Sequence, residues 1–504
     1  SGLAYETLMA HELSHHWWGN WVTCDSKEEM WLNEGMASYS ELLFLEYVYG
    51  KERMQEEFNN ILESVLHFAH VNDGQYRAIQ GIPHEYTYST HVYSKGALVA
   101  HTLRNYLGDS IYFPAISQFM LDSSLRAINS YSLQNYLEDY TAKDLDHFFE
   151  PWVFSKGFPD FSIPSWSSTE NNGKFDCKIK IHQRLNNAPD YYNKVPLEVC
   201  FIDDSWNVHK KYVFISGSCG EYDIKMDFDP VMVVLDTDHK IADACLIEPK
   251  VFNKNGFNNF PLLQLKIKID NVTDSSFIYI EHHYSPPEKF KAPIKNVHIS
   301  QYRYWKISGH KKGLLEGYLD FSFDGSLSTT NGYLDEKLVT NSEDSMLLLY
   351  RADDNDDWSI INDVQIFNLG TNTDSKGSIR TTEIMLGEFA LGIYDHDKQD
   401  SVINIPDNCI NQTFIEKTMI QNTGTVKVFP NPSKGHINIS SEGHNIKEVT
   451  CIDSSGKSVS IQLKRVHDKR YLLNSSKMAG GMYLLEIKLE NGRTHKESVL
   501  ISKN

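Results

Sequence analysis

The spacing of apolar residues changes near residue 160, and this change restricts the chain to folds with several domains. Before residue 160, Leu133 and Leu137 lie four residues apart, and residues 93–107 form an amphipathic segment ended by Gly108, as in helices. After residue 160, short apolar segments such as VPLEVCFI (195–202) alternate with Gly, Asn and Asp, as in β-sandwiches. A chain of 504 residues is long enough for about three to four domains.

We therefore predict a multidomain protein, with an α-rich domain followed by β-sandwich domains. Within the helical part, Ser132 and Asp144 are predicted N-caps, and Gly157 is the predicted end of the helix that Asp144 begins. The predicted boundaries are 1–160 for the helical domain, 161–255 for a β-sandwich, 256–397 for a second β-rich domain without an assigned role, 398–424 for a polar linker, and 425–504 for a last β-sandwich.

Composition excludes several classes of protein. Lys and Arg number 48 and Asp and Glu 67, so the net charge of −19 disfavours general nucleic-acid binding. No apolar run approaches the roughly 20 residues of a transmembrane helix. The seven cysteines contain no CxxC pair. Whether one or two disulfides form among the cysteines between residues 177 and 245 is left undecided by the sequence. Because the chain begins at Ser1 without a signal peptide, we expect a fragment or processed form that lacks its N-terminal part.

The most informative segment is His11-Glu12-Leu13-Ser14-His15, an H-E-x-x-H pattern. On a helix, residues four apart share a face, so both imidazoles reach one metal ion, and Glu12 reaches a water molecule beside it. A catalytic zinc site uses three protein ligands, and Glu34, which begins the next helical segment, fits as the third.

Other residues around this pattern have weaker roles. Glu41 lies seven residues after Glu34 on the same predicted face; it is interpreted either as a carboxylate that orients a zinc-binding histidine or as a surface residue. His16 points elsewhere on the helix and is not a predicted ligand. Trp17 and Trp18 are interpreted as core residues, with contact to substrate as the alternative.

The stretch resembles the gluzincin zinc aminopeptidases, the family of aminopeptidase N and leukotriene hydrolase. The resemblance rests on H-E-x-x-H, then eighteen residues, then Glu34 within WLNEG, and on Tyr93 within VYSKG. It implies one Zn²⁺ held by His11, His15 and Glu34, with Glu12 as general base and Tyr93 as a catalytic donor. It also implies peptide substrates and a thermolysin-like catalytic domain in residues 1–160.

Two rival functions stay open beside the secreted aminopeptidase. A thermolysin-type endopeptidase shares the ligand set. The exopeptidase loop of the family, G-x-M-E-N, would lie before residue 1, which leaves open whether this fragment alone is active. A surface-binding β-protein with a peptidase remnant is the other, because about two thirds of the chain is β-rich. The intact ligands, base and tyrosine argue against a remnant.

The C-terminal residues resemble the sorting domain of type IX secretion substrates in Bacteroidota. The resemblance rests on VFPNPSKG (428–435), SSGK (454–457) and MAGGMYLLEI (478–487), in that order. It implies recognition of residues 425–504 by the type IX secretion machinery and an extracellular or cell-surface location. An adhesive β-sandwich is the alternative.

An EF-hand calcium loop is excluded at residues 353–364. Asp353, Asn355 and Asp357 have suitable spacing, but Trp358 and Val364 replace the Gly and Glu that an EF-hand needs.

Overall fold

The computed structural model divides the chain into two compact units, Ser1–Glu416 and Lys417–Asn504. The described residues are 5–396 except 327–331, 333, 340–341 and 372–373, together with 410–411, 426–429, 436–441, 445–453, 457–467, 470–476, 478–490 and 494–501. The predicted linker at 398–424 lies outside them, apart from the short strand Ile410–Asn411.

The α-helices of the described chain lie before residue 153, and strands make up 42% of the structure against 25% for helices, so the chain as a whole is mostly β. The helices are α1 (Glu6–Ser14), α2 (Glu34–Tyr49), α3 (Lys51–Asn72), α4 (Gly96–Leu107), α5 (Asp109–Asp122), α6 (Ser130–Thr141) and α7 (Asp146–Trp152). Shorter elements among them are the 3₁₀ turns Lys27–Leu32 and His84–Tyr86, the π-helical turn His91–Lys95 and the parallel strands Thr23–Cys24 and Ala127–Ile128.

The central helix of this part is α2, which packs against α1, α3, α4 and the π-helical turn. A helix that is apolar on most of its sides is buried, and α2 buries Met36, Tyr39, Leu42 and Leu45. The position of α2 therefore fixes the carboxylates of Glu34 and Glu41, which lie in its N-terminal half.

Both predicted N-caps need correction. Asn129 caps α6, because its Oδ1 accepts the Ser132 backbone N–H (2.8 Å) and Ser132 Oγ accepts the Asn129 N–H (2.9 Å). Ser132 is thus the other half of a capping box. Asp144 accepts the Asp146 N–H (2.9 Å) from one residue before the cap position, and α7 ends at Trp152 instead of Gly157.

Residues 158–235 form two antiparallel groups of strands. The first runs Cys219–Met226, Lys174–Asn186, Phe158–Asn171, with Ile410–Asn411 on its outer edge; the second runs Val208–Ile215, Val195–Ile202, Met232–Leu235. The predicted strand at 195–202 is confirmed residue for residue.

Residues 245–394 form two larger sheets. A seven-stranded sheet has the order Ser359–Ile360, Met346–Arg351, Gly387–Tyr394, Tyr304–Lys311, Ser276–His283, Cys245–Phe252, with Val297–Ile299 also on Gly387–Tyr394; a five-stranded sheet has the order Gly256–Phe260, Leu265–Val272, Leu315–Asp324, Lys376–Thr381, Val364–Asn368. Since Cys245–Phe252 pairs with Ser276–His283, a sheet spans the boundary predicted at 255, and the internal boundaries of the first unit stay predictions.

The second unit has a hydrophobic core of its own between a four-stranded and a three-stranded sheet. The strands run Val426–Phe429, His436–Ser441, Arg470–Asn474, Gln462–His467 in one sheet and Ile446–Asp453, Gly481–Leu489, Thr494–Ile501 in the other.

No disulfide joins any two of the four cysteines between residues 177 and 245. Cys177, Cys200 and Cys245 carry free thiols, while Cys219 is disulfide-bonded. Among the described residues, no helix combines the length and apolar character needed to cross a membrane.

Candidate metal centre

The two histidines of the H-E-x-x-H pattern lie at the end of α1. His11 is on its last turn, and His15 is the residue at which the helix ends. The His15 Nδ1–H donates to the Trp18 carbonyl oxygen (2.9 Å), in the turn that follows the helix. Because a carbonyl only accepts, this contact leaves the Nε2 lone pair of His15 available to a metal ion.

Glu34 and Glu41, seven residues apart on α2, both contact His11. Glu41 Oε1 lies 2.8 Å from His11 Nδ1, and Glu34 Oε2 lies 3.3 Å from His11 Nε2. Glu34 Oε2 is also 3.3 Å from His15 Nε2. The carboxylate of Glu41 therefore holds the His11 Nδ1–H and turns Nε2 towards Glu34, an arrangement that metal-binding histidines commonly have.

These separations fit a zinc ion. Ligands about 2.0–2.1 Å from a tetrahedral zinc lie about 3.3 Å apart. The nitrogen–oxygen distances from Glu34 to both histidines are 3.3 Å, and the ligand atoms of His11, His15 and Glu34 all lie within 4.8 Å of one another. Imidazole nitrogen and carboxylate oxygen are ligands that zinc accepts in catalytic sites.

The charges of this group are coupled. Hydrogen bonds to Glu34 and then to Glu41 raise the pKa of His11 to about 9. Burial opposes the charge of Glu34, yet its hydrogen bond with His11 and the nearby His15 hold its pKa below the ordinary value. The site thus attracts positive charge, which either protons or a divalent cation supply.

Tyr93 reaches the same group from the π-helical turn. Its ring stacks on the His11 ring, with the centroids 5.9 Å apart and the planes 18° from parallel, and its hydroxyl is near enough to the Glu34 carboxylate for that charge to raise the pKa of Tyr93. Burial first, and then the Glu34 carboxylate, raise the pKa of Tyr93, so its hydroxyl stays protonated and able to donate.

Two glycines bring Tyr93 and Glu34 together. A Cβ added to Gly35 would lie 2.8 Å from the Gly96 Cα, and one added to Gly96 would lie 2.9 Å from the Gly35 Cα. No side chain fits between α2 and the start of α4 at this crossing. The last residues of the WLNEG and VYSKG motifs are therefore the points at which the two elements touch, a role that the sequence alone did not reveal.

The remaining residues of the pattern differ in exposure. Glu12 is exposed next to His11, and its carboxylate is near enough to Tyr93 to contribute to the raised pKa of that residue. His16 is exposed and is not part of the ligand group. Trp18 is buried, as predicted, whereas Trp17 is 50% exposed, so the core interpretation of Trp17 was wrong.

Asn33, the residue before Glu34, is a second contributor that sequence reasoning missed. Its side-chain oxygen accepts the Cys24 backbone N–H (3.0 Å), and its amide nitrogen donates to Thr23 Oγ1 (3.1 Å). These contacts fix the start of α2 to the strand after α1. The only signal in the sequence was the position of Asn33 within WLNEG.

The loop at residues 353–357, excluded above as a calcium site, binds a lysine side chain of the same protein. Lys291 Nζ donates to the carbonyl oxygens of Asp354 (2.6 Å) and Asn355 (2.9 Å), and Asp357 accepts the Lys291 backbone N–H (2.8 Å). A lysine ammonium thus lies against the carbonyl oxygens of this turn.

Comparison with known proteins gives two family matches. Residues 3–152 match the peptidase family M1 domain, and residues 427–502 match the secretion system C-terminal sorting domain. The sorting domain marks the chain for export to the cell surface or the extracellular space.

Each of the individual relatives below matches less than half of the chain. Aminopeptidase N of Lactococcus lactis subsp. lactis is 28% identical over 212 residues, which cover 38% of this chain and 25% of that protein. Aminopeptidase M1 of Arabidopsis thaliana is 24% identical over 224 residues, which cover 44% of this chain and 24% of that protein. The crystal structure of Legionella pneumophila aminopeptidase A in complex with aspartic acid matches with a TM-score of 0.38 and 19% identity, over 47% of this chain and 26% of that chain. The chain spans about a quarter of the length of the curated relatives it matches.

Proposed function

Because the chain carries a family M1 peptidase domain in residues 3–152 and a secretion sorting domain in residues 427–502, we propose that it is part of a secreted zinc aminopeptidase. The observation that carries the proposal is the convergence of His11 Nε2, His15 Nε2 and Glu34 Oε2, with both nitrogen–oxygen distances at 3.3 Å. The helical residues 1–160 are assigned as the thermolysin-like catalytic portion.

His11, His15 and Glu34 would hold one Zn²⁺. Zinc in such a site supplies a Lewis acid for the substrate carbonyl and lowers the pKa of water. The contribution of the chain is to orient each imidazole with its Nδ1–H bonded to an oxygen and its Nε2 towards the ligand group. Glu41 does this for His11, and the Trp18 carbonyl does it for His15.

Glu12 is assigned as the general base. It follows His11 on α1, and its side chain is exposed, so water can reach its carboxylate. Glu12 takes the proton of the attacking water and then passes it to the leaving amine. Both transfers use one carboxylate, so its loss removes base and acid catalysis together.

Tyr93 is assigned as the donor for the oxygen of the reacting carbonyl. A protonated hydroxyl at the edge of the ligand group is aimed at the position where negative charge develops during attack. The raised pKa of Tyr93 supports this role, since the phenol remains a donor throughout the working pH range.

Removal of N-terminal residues, as distinct from internal cleavage, is supported by the relatives, which are aminopeptidases. We assign residues 425–504 to recognition by the type IX secretion machinery. The second unit then directs the enzyme to export and takes no part in catalysis. A thermolysin-type endopeptidase and a surface-binding protein are the alternatives that the experiment separates.

The test uses the full-length gene product, assayed on aminoacyl-arylamides and on N-blocked peptides, with and without a chelator. We expect chelator-sensitive release from free N-termini, reduced about 10²–10⁴-fold in Glu12→Gln. His16→Gln is the matched control, because His16 is exposed and lies outside the ligand group, and it should retain activity. Cleavage of blocked peptides would indicate an endopeptidase, and absence of both turnover and bound zinc would refute an enzyme.

A further inference from the structure

The π-helical turn His91–Lys95 is anchored by side-chain hydrogen bonds at both of its ends. Its first residue, His91, and its last, Lys95, are fully buried, whereas Tyr93 between them is half-buried. In a helical turn, residues i and i+4 lie on the same side and residue i+2 faces away from them. The anchored side and the side that carries the Tyr93 hydroxyl are therefore opposite.

The first anchor is Asp73, directly after α3. Its Oδ2 accepts the His91 backbone N–H (3.1 Å) and also bonds to His91 Nδ1. On the far side of the ring, His91 Nε2 accepts the Arg77 backbone N–H (3.0 Å). The imidazole is therefore neutral with its proton on Nδ1, and it ties the turn to two points of the 73–77 loop.

The second anchor is Lys95. Its Nζ donates to the carbonyl oxygens of Arg77 (3.1 Å) and Ser155 (3.3 Å) and lies 5.0 Å from the centre of the Phe158 ring. The N–H and the C=O of a single residue, Arg77, are thus bonded to the two ends of the Tyr93 turn. Asp73, His91 and Lys95 form what we call the clamp.

A π-helical turn needs such support. It contains one residue more than an α-helical turn; the Gly96 N–H bonds back to the His91 carbonyl oxygen, and π-turns are rare and occur mainly at functional sites. Without the clamp, the segment from His91 gains by closing into an ordinary α-helix. That closure rotates Tyr93 away from Glu34, because one residue corresponds to about 100° of helical rotation.

We propose that Asp73, acting through His91, and Lys95 are positioning residues that hold the Tyr93 hydroxyl against the metal centre. The proposal rests on the proposed function, because it assigns Tyr93 a role in that reaction. None of the three clamp residues is expected to touch substrate.

The kinetic test uses the isosteric variants Asp73→Asn and Lys95→Met in the full chain. Because a misplacement of about 1 Å costs on the order of 10²-fold in rate, we expect kcat to fall about 10–100-fold while KM stays nearly constant and zinc content is unchanged. The matched control is Asp236→Asn, another buried aspartate that accepts two backbone N–H groups, from Lys240 and Ile241, and it should retain the kcat of the wild type.

A double-mutant cycle separates positioning from general support. In a Tyr93→Phe background, Asp73→Asn should lower kcat by no more than about twofold, because the hydroxyl that it positions is already absent. A fall of equal size in both backgrounds would overturn the proposal, and so would unchanged kcat in both clamp variants when the wild type is active.

A second measurement does not depend on activity. 3-Fluorotyrosine placed at position 93 reports its surroundings by ¹⁹F NMR, and we expect its resonance to move or split in Asp73→Asn and to stay in place in Asp236→Asn. An unchanged resonance in Asp73→Asn overturns the proposal even if the chain proves to have no peptidase activity. A moved resonance with an inactive wild type supports the clamp and refutes the proposed function.

Discussion

The contact between Gly35 and Gly96 allows a prediction in which stability and activity respond differently to one methyl group. In Gly96→Ala, the added Cβ lies 2.9 Å from the Gly35 Cα and 3.5 Å from Trp31 Cβ. Carbon atoms pack at about 3.5–4.0 Å, so α2 and the start of α4 must separate by about 0.6–1.1 Å. Backbone meets backbone here, and rotation of a side chain does not relieve the contact.

The effect on stability is small because two terms oppose each other. Overpacking of this kind costs about 1–3 kcal/mol. Gly96 has helical backbone angles (φ −57°, ψ −46°), so alanine at this position gains about 1 kcal/mol of helix propensity. The net loss in the free energy of unfolding is about 0–2 kcal/mol.

The effect on activity is larger, since Tyr93 and Glu34 lie on the two elements that separate. A shift approaching 1 Å between a donor and the metal centre costs about 10²-fold in kcat. We therefore expect Gly96→Ala to fold, to bind zinc and to lose most of its turnover.

The assay combines steady-state kinetics, zinc content and urea unfolding followed by tryptophan fluorescence. All nine tryptophans lie at or before residue 358, so the fluorescence reports on the first unit. Gly256→Ala is the matched control, because an added Cβ there has nothing within 4 Å. Unchanged kcat together with an unfolding free energy raised by about 1 kcal/mol would refute the reasoning, because propensity would then act without any steric cost.

Three further predictions follow from the same site. Glu41→Gln replaces the carboxylate 2.8 Å from His11 Nδ1 by a neutral amide, so zinc affinity should fall about 10–100-fold in competition with a chelator, while Glu46→Gln on the same helix should leave it unchanged. Tyr93→Phe should lower kcat about 10²–10³-fold with zinc content intact, and full activity would contradict its role as a donor. Burial lowers the pKa of Lys95 from 10.5 to about 7, so the unfolded chain binds more protons between these values and stability should rise with pH from 7 to 10; thermal melting should show this rise in the wild type and a smaller one in Lys95→Met.

The sequence singled out the three residues that the structure brings together in the candidate metal centre, because ligand chemistry depends on residue type and spacing. His11 and His15 lie four apart on one helix, so local periodicity was enough to select them. Glu34 was selected by its place at the start of the next helical segment and by the resemblance of WLNEG to a family motif. The strand at 195–202 was equally local, since a short, mostly apolar segment between turn residues is typical of a buried strand. Helix ends were less certain, because Asn129 and Ser132 are both good caps and only their reciprocal hydrogen bonds decide between them.

What the tertiary structure decided is the contact between elements that are distant in the sequence. Glu41 had two equally good interpretations until α1 packed on α2 and brought its carboxylate to His11 Nδ1. The closeness of Gly35 to Gly96 and the ties from Asp73 and Lys95 to the Tyr93 turn join segments tens of residues apart, and no local periodicity encodes such pairs. The sequence thus determined which chemical groups are present, and packing determined their separations, because distance in space is a property of the folded core and not of chain spacing.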